Sequence, residues 1–178
     1  MNVVVPEEYR YLYEADYAAP ILVIPNAKLR ETATPVKKVT KNVQQLMSSM
    51  VQIMRKANGV GLAAPQLGIL QRVIVMEPEE DRVLALANPV ITHREGVQIS
   101  EEGCLSIPGL YGDVQRAASV ILVGLDRKGR EIEVELEGRP AVIAQHELDH
   151  LDGKLFIDLV DPTTLRWQHP LTRDESTV

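Results

Sequence analysis

The sequence predicts an α+β fold. Three observations carry this: apolar residues at helical spacing over 40–58, short strand signals scattered between residues 73 and 137, and a second helical segment opening at Pro140. In the first segment Val43, Leu46, Met47, Met50, Ile53, Met54 and Ala57 recur at three- and four-residue steps. Thr40 stands where an N-cap belongs and Asn58-Gly59 where a helix stops. The methionines read as filler of an irregular core.

The strands follow in order. Val73–Met76 and Val83–Leu86 are short apolar runs bounded by charge or proline, and Val120–Leu125 is another. From Glu131 to Glu137 glutamates alternate with Ile132, Val134 and Leu136, which predicts a half-buried strand with an acidic outer face. Asp126-Arg-Lys-Gly129 between the last two reads as a hairpin loop. Pro140 suits the first turn of the second helix, which runs through Leu151 and stops at Asp152-Gly153. Residues 1–20 read as an N-terminal extension, residues 21–165 as one catalytic domain, and residues 166–178 as a polar, frayed tail. The extension holds Tyr9, Tyr11, Tyr13 and Tyr17. It is expected to pack on the domain surface, to contact a second copy in a homodimer, or to flank a substrate groove.

At 178 residues the chain suits one domain with a sizeable core. A single cysteine excludes an internal disulfide framework, a four-cysteine zinc site and a Cys-x-x-Cys redox pair. A net charge of −6 argues against a nucleic-acid binder that relies on broad phosphate contact. No stretch approaches the roughly 20 apolar residues of a membrane span, and the acidic N-terminus does not resemble a signal peptide. A soluble cytoplasmic protein is expected, and a lone thiol fits that reducing compartment.

The chemistry concentrates in His146-Glu147-Leu148-Asp149-His150. Histidines four apart project from one helical face and can hold one metal ion, with Glu147 able to reach a water beside it. This composition yields the pattern by chance in about one chain in a hundred. Two histidines leave a tetrahedral catalytic site one protein ligand short. A carboxylate, Cys104, His93 or His169 could supply the third. Cys104 sits in Glu101-Glu102-Gly103-Cys104-Leu105-Ser106, and a nucleophilic role for it competes with a ligand role. The neighbouring glutamates disfavour a free thiolate, whereas a metal would enforce one. Gly59-Val60-Gly61-Leu62-Ala63-Ala64-Pro65-Gln66 is a turn dense in small residues, where backbone can approach a ligand closely.

These three stretches, at 59–66, 102–106 and 145–150, resemble the motifs of the peptide deformylase family. The resemblance implies antiparallel sheets around a central metal-binding helix. It assigns Cys104, His146 and His150 as metal ligands, with Fe(II) the expected ion and Zn, Ni or Co able to replace it. It makes Glu147 the general base, and it places the Gln66 side chain and the Leu105 backbone N–H as donors to the developing oxyanion. The implied reaction removes the formyl group from the initiator methionine of N-formyl-Met nascent polypeptides, releasing formate, with the ribosome as a further partner. Backbone at Val60 and Gly61 would pair with the substrate peptide, Val142 and Ile143 would wall the methionine pocket, and Glu102 would orient the site. Tyr111 falls where some relatives carry arginine. A zinc peptidase sharing the His-Glu-x-x-His helix is the competing class.

Overall fold

A computed structural model describes residue 1, residues 3–14 and residues 20–169. Tyr17, the end of the N-terminal extension and the tail from residue 170 therefore lie outside the described residues. The first helix, α1, spans Lys41–Lys56. The Thr40 side chain accepts the Val43 N–H at 3.4 Å, which satisfies one of the otherwise unpaired donors at the helix start. Val43, Met47, Met50 and Met54 form its buried stripe. The three methionines are fully buried, each contributing about 1.5–3 kcal/mol relative to exposure. Asn58 takes φ 54°, the left-handed turn that ends the helix.

Eight strands follow among the described residues. Five form one antiparallel sheet in the order β1-β2-β3-β6-β7, and three form a second in the order β4-β5-β8. The first sheet comprises β1 (Gly61–Ala63), β2 (Val73–Glu79), β3 (Arg82–Glu95), β6 (Ser119–Leu125) and β7 (Glu131–Glu137). The β2–β3 hairpin turns at Asp81, which holds φ 61°. Strand β3 is long and bends: its register shifts near Asn88-Pro89, where Asn88 clamps the Val36 N–H and C=O at 2.8 and 2.9 Å. The β6–β7 loop is organised by Asp126, whose carboxylate accepts the Lys128 and Arg130 N–H groups. Strand β7 alternates as its sequence predicts, and its four glutamates stay exposed at the sheet edge, where charge discourages further pairing.

The second sheet contains β4 (Gln98–Cys104), β5 (Ile107–Arg116) and β8 (Arg166–Trp167). The sequence gives little sign of β4, because its residues are polar or glycine and its apolar partner surface comes from elsewhere in the chain. Residues 166 and 167, grouped with the tail by composition, instead pair with Tyr111 and Leu110. The second helix, α2, spans Arg139–Leu151. Ala141, Ala144, Leu148 and Leu151 join Ile74, Met76, Leu86 and Leu122 in the core beneath the five-stranded sheet. The three-stranded sheet builds its own core from Ile107, Leu110, Val114 and Phe156, with Cys104 at its margin. Helix α2 thus runs between the two sheets, presenting one face to each. No described helix is long and apolar enough to cross a membrane.

Candidate metal centre and substrate groove

The helical repeat of α2 puts His146 and His150 one turn apart on the face opposite its apolar seam. Strand β4 ends beside that face and delivers Cys104. The Cys104 sulfur lies 3.2 Å from His150 Nε2. The three ligand atoms of Cys104, His146 and His150 all fall within 4.8 Å of one another. The other candidate ligands are elsewhere. His93 is exposed on β3 beside Glu95, and His169 stacks on Tyr9 and bonds the Tyr11 hydroxyl.

Polar partners fix these side chains. His146 Nδ1 meets Glu102 Oε2 at 2.8 Å, which leaves Nε2 for the cluster. Glu102 is in turn held by Arg116 through bonds of 2.7 and 3.0 Å, and Arg116 reaches Asp149 at 2.6 Å. Glu102 and Arg116 are 5% and 7% exposed, so this is a buried ion pair. Burial pushes the Glu102 carboxyl up, but the bonds from Arg116 and His146 outweigh it and hold the group below the usual carboxylate range. Burial and the nearby charges of His146 and Arg116 drive His150 well below the ordinary imidazole value, which favours its neutral form, whereas His146, despite its burial, is raised well above that value by its bonds to Cys104 and Glu102. The sequence motifs single out Glu102 but not Arg116, which lies in no motif and becomes informative only when β5 sets it beside β4.

Removing one member of a buried ion pair leaves the other charge uncompensated. Arg116→Met is therefore expected to cost about 3–5 kcal/mol in denaturant unfolding and to weaken metal retention about 10–100-fold through the loosened His146. Unchanged unfolding and metal content in that variant would contradict the positioning role of Arg116.

Glu147 and Gln66 complete the centre. Burial pushes the Glu147 carboxyl up to about 7, and its Oε2 has no hydrogen-bond partner among the described residues. Its Oε1 presses on Gly61: a Cβ built there would lie 2.2 Å away, so only glycine lets the β1 backbone come this close. Gln66 is 2% exposed. Its carbonyl accepts the Ala63 N–H at 2.9 Å, and its amide nitrogen lies 3.1 Å from Ser106 Oγ and 3.8 Å from the Cys104 sulfur. That arrangement fixes which end of the amide faces the cluster.

Gln66, Glu102, Cys104, His146 and Glu147 line one cavity of about 920 Å³. Val60 and Gly61 border it at the start of β1, an edge strand whose second edge carries no strand partner among the described residues. The Val60 carbonyl accepts the Glu77 N–H at 2.8 Å. Val142 and Ile143 of α2 form another part of the wall. The Tyr111 ring packs against Gly103, where a Cβ would lie 2.5 Å from it, and lines the cavity as well.

Comparison with known proteins agrees with this geometry. The sequence model of the polypeptide deformylase family matches residues 18–166. The chain belongs to that family. A peptide deformylase of Alkalilimnicola ehrlichii is 51% identical over 141 residues, covering 78% of this chain and 79% of the relative. The crystal structure of the Thermotoga maritima peptide deformylase superposes with a TM-score of 0.77 at 38% identity, covering 80% of this chain and 97% of that one. The Thermus thermophilus peptide deformylase gives a TM-score of 0.75 at 46% identity, covering 78% and 83%. A deformylase fold, antiparallel sheets around a metal-binding helix, is thus the architecture here, and the extension before residue 18 lies outside the matched segment.

The donor set fits a divalent cation. One sulfur and two imidazoles converge from two elements, and Glu102 turns His146 towards them.

Proposed function

We propose that this chain is a peptide deformylase that hydrolyses the N-formyl group of the initiator methionine of new polypeptides and releases formate. The observation that carries the reading is the cluster of Cys104, His146 and His150 beside a cavity lined by Cys104, His146, Glu147 and Gln66 and bordered by a strand edge that has no strand partner among the described residues. Cys104, His146 and His150 would hold one divalent ion, Fe(II) in our reading, with Zn, Ni or Co able to substitute. That ion supplies Lewis acidity, which makes a water a stronger acid and draws electron density from a carbonyl.

The chain's own residues do the rest. An extended peptide lies along the β1 edge at Gly61, as an added strand would, and seats its methionine side chain against Val142 and Ile143. Glu147, buried and with one oxygen unpaired, takes the proton of the attacking water and returns it to the leaving amine. The Gln66 amide N–H and the Leu105 backbone N–H donate to the oxygen of the tetrahedral adduct. Ala63 holds the Gln66 amide in the orientation that donation needs. The missing Cβ atoms of Gly59 and Gly61 let the Leu105 and Glu147 side chains pack directly against this stretch of backbone. This substrate chemistry fits an enzyme that acts in the cytoplasm on chains as they leave the ribosome.

The test is formate release from formyl-Met-Ala by anaerobically purified protein whose metal content is measured in parallel. Formate appearing in proportion to bound metal is expected. Cleavage of the Met-Ala bond without formate would favour the peptidase reading and overturn this one.

A further inference from the structure

The cavity contains a second apolar surface that the deformylase reading leaves unused. It comes from the end of α1 and the β4–β5 turn, with the N-terminal extension beside it, on different elements from the Val142–Ile143 wall of α2. Ile53, Ala57, Leu105 and Pro108 are half-buried and present apolar surface to the cavity, and the buried Ile21, in one core cluster with Ile53, Ala57 and Leu105, borders it too. The Leu105 side chain also touches Gly59, where a Cβ would fall 2.7 Å from it. This surface therefore starts at the residue whose N–H is the oxyanion donor in our reading.

One end of the surface is shut by the extension. Residues Glu7–Tyr13 form a short 3-10 helix against β5. Tyr9 stacks on Trp167 and His169 at centroid distances of 5.1 and 4.5 Å. The Tyr13 hydroxyl donates to the Pro108 carbonyl at 3.1 Å. Leu12 has no exposed surface: it borders the cavity from behind and meets Gly109, where a Cβ would lie 3.1 Å from both Leu12 and Tyr9. Three separate contacts thus hold the segment on the rim.

We propose that residues 3–14 close this end of the groove and convert it into a walled apolar subsite, which takes an apolar side chain following the methionine of the formylated peptide. The inference rests on the deformylase reading and adds a specificity determinant that the matched family segment does not contain. Leu12 acts as a positioning residue: it backs the wall, while Ile53, Leu105 and Pro108 make the contact. An open groove would leave the downstream side chain in water, where leucine and serine are accepted alike. A walled one rewards apolar area.

The experiment compares kcat and KM for formyl-Met-Leu-Leu and formyl-Met-Ser-Ser in the full-length protein. The wild-type enzyme is expected to prefer the leucine peptide about tenfold in kcat/KM, mostly through KM. Leu12→Ala and Tyr9→Ala should each bring that ratio to within about threefold, and Leu12→Met should restore it. Trp167, the single tryptophan, reports docking of the segment, so Tyr9→Ala should change its emission. A ratio near one in the wild type, or a ratio that survives in Leu12→Ala and in an undocked Tyr9→Ala protein, overturns the proposal. So does an equal loss on both peptides. Formate from neither peptide would instead overturn the deformylase reading itself.

Discussion

Glu147→Gln is expected to lower kcat for formate release by about 10²–10⁴-fold, the range that general acid–base catalysis supplies, while metal binding persists. Glutamine keeps the volume that Gly61 accommodates and the hydrogen-bonding shape of the side chain, but it cannot accept a proton from water. Glu147 is not among the three clustered ligand atoms, so its loss should leave about one metal ion per chain. The check is a pair of measurements on one preparation: metal content and steady-state formate release. A variant that retains metal and activity would remove Glu147 from the mechanism. A variant that loses both would mean that the carboxylate acts through the cluster instead.

The second large effect concerns Cys104. Cys104→Ser should reduce metal retention and activity together, because a hydroxyl replaces the soft donor that the site is built around. Treating the wild-type protein with a chelator should have the same consequence, reversed by adding back the divalent ion. An ion bound only by the folded state also adds to stability, so the metal-free protein should unfold at lower denaturant concentration than the loaded one. Cys104 is buried and packs against the core of the three-stranded sheet, so a serine variant with full metal content and activity would reduce it to packing. Oxidation of the sulfur should inactivate by the same route, since a higher oxidation state removes the ligand.

Both predictions concern residues that are legible in the sequence, though not for the same reason. His146, Glu147 and His150 sit within five residues on one helix, and helical geometry alone orients them. Gln66 is different. Its stretch reads as a tight turn, and its value comes from the Ala63 N–H and Ser106 hydroxyl that hold its amide in place. Cys104 lies 46 positions from His150, so spacing could not choose it over His93, His169 or a carboxylate. The motif resemblance chose it, and the ending of β4 beside α2 supplies the physical cause. The helices and the β6–β7 hairpin were legible because their apolar periods and turn residues are local. Strand β4 was not, because a polar strand gains its stability from partners that the local sequence does not show.

The sequence by itself determined the family, the two helices and the chemical inventory: one sulfur, two imidazoles at helical spacing, one carboxylate between them and one amide. Those features are local, and local backbone geometry is enough to express them. The tertiary structure decided which donors meet, how Arg116 steadies Glu102 and through it His146, and where the N-terminal extension goes. Each of these joins residues far apart in the chain. Their meeting depends on how two sheets clasp one helix, and no window of sequence contains that information.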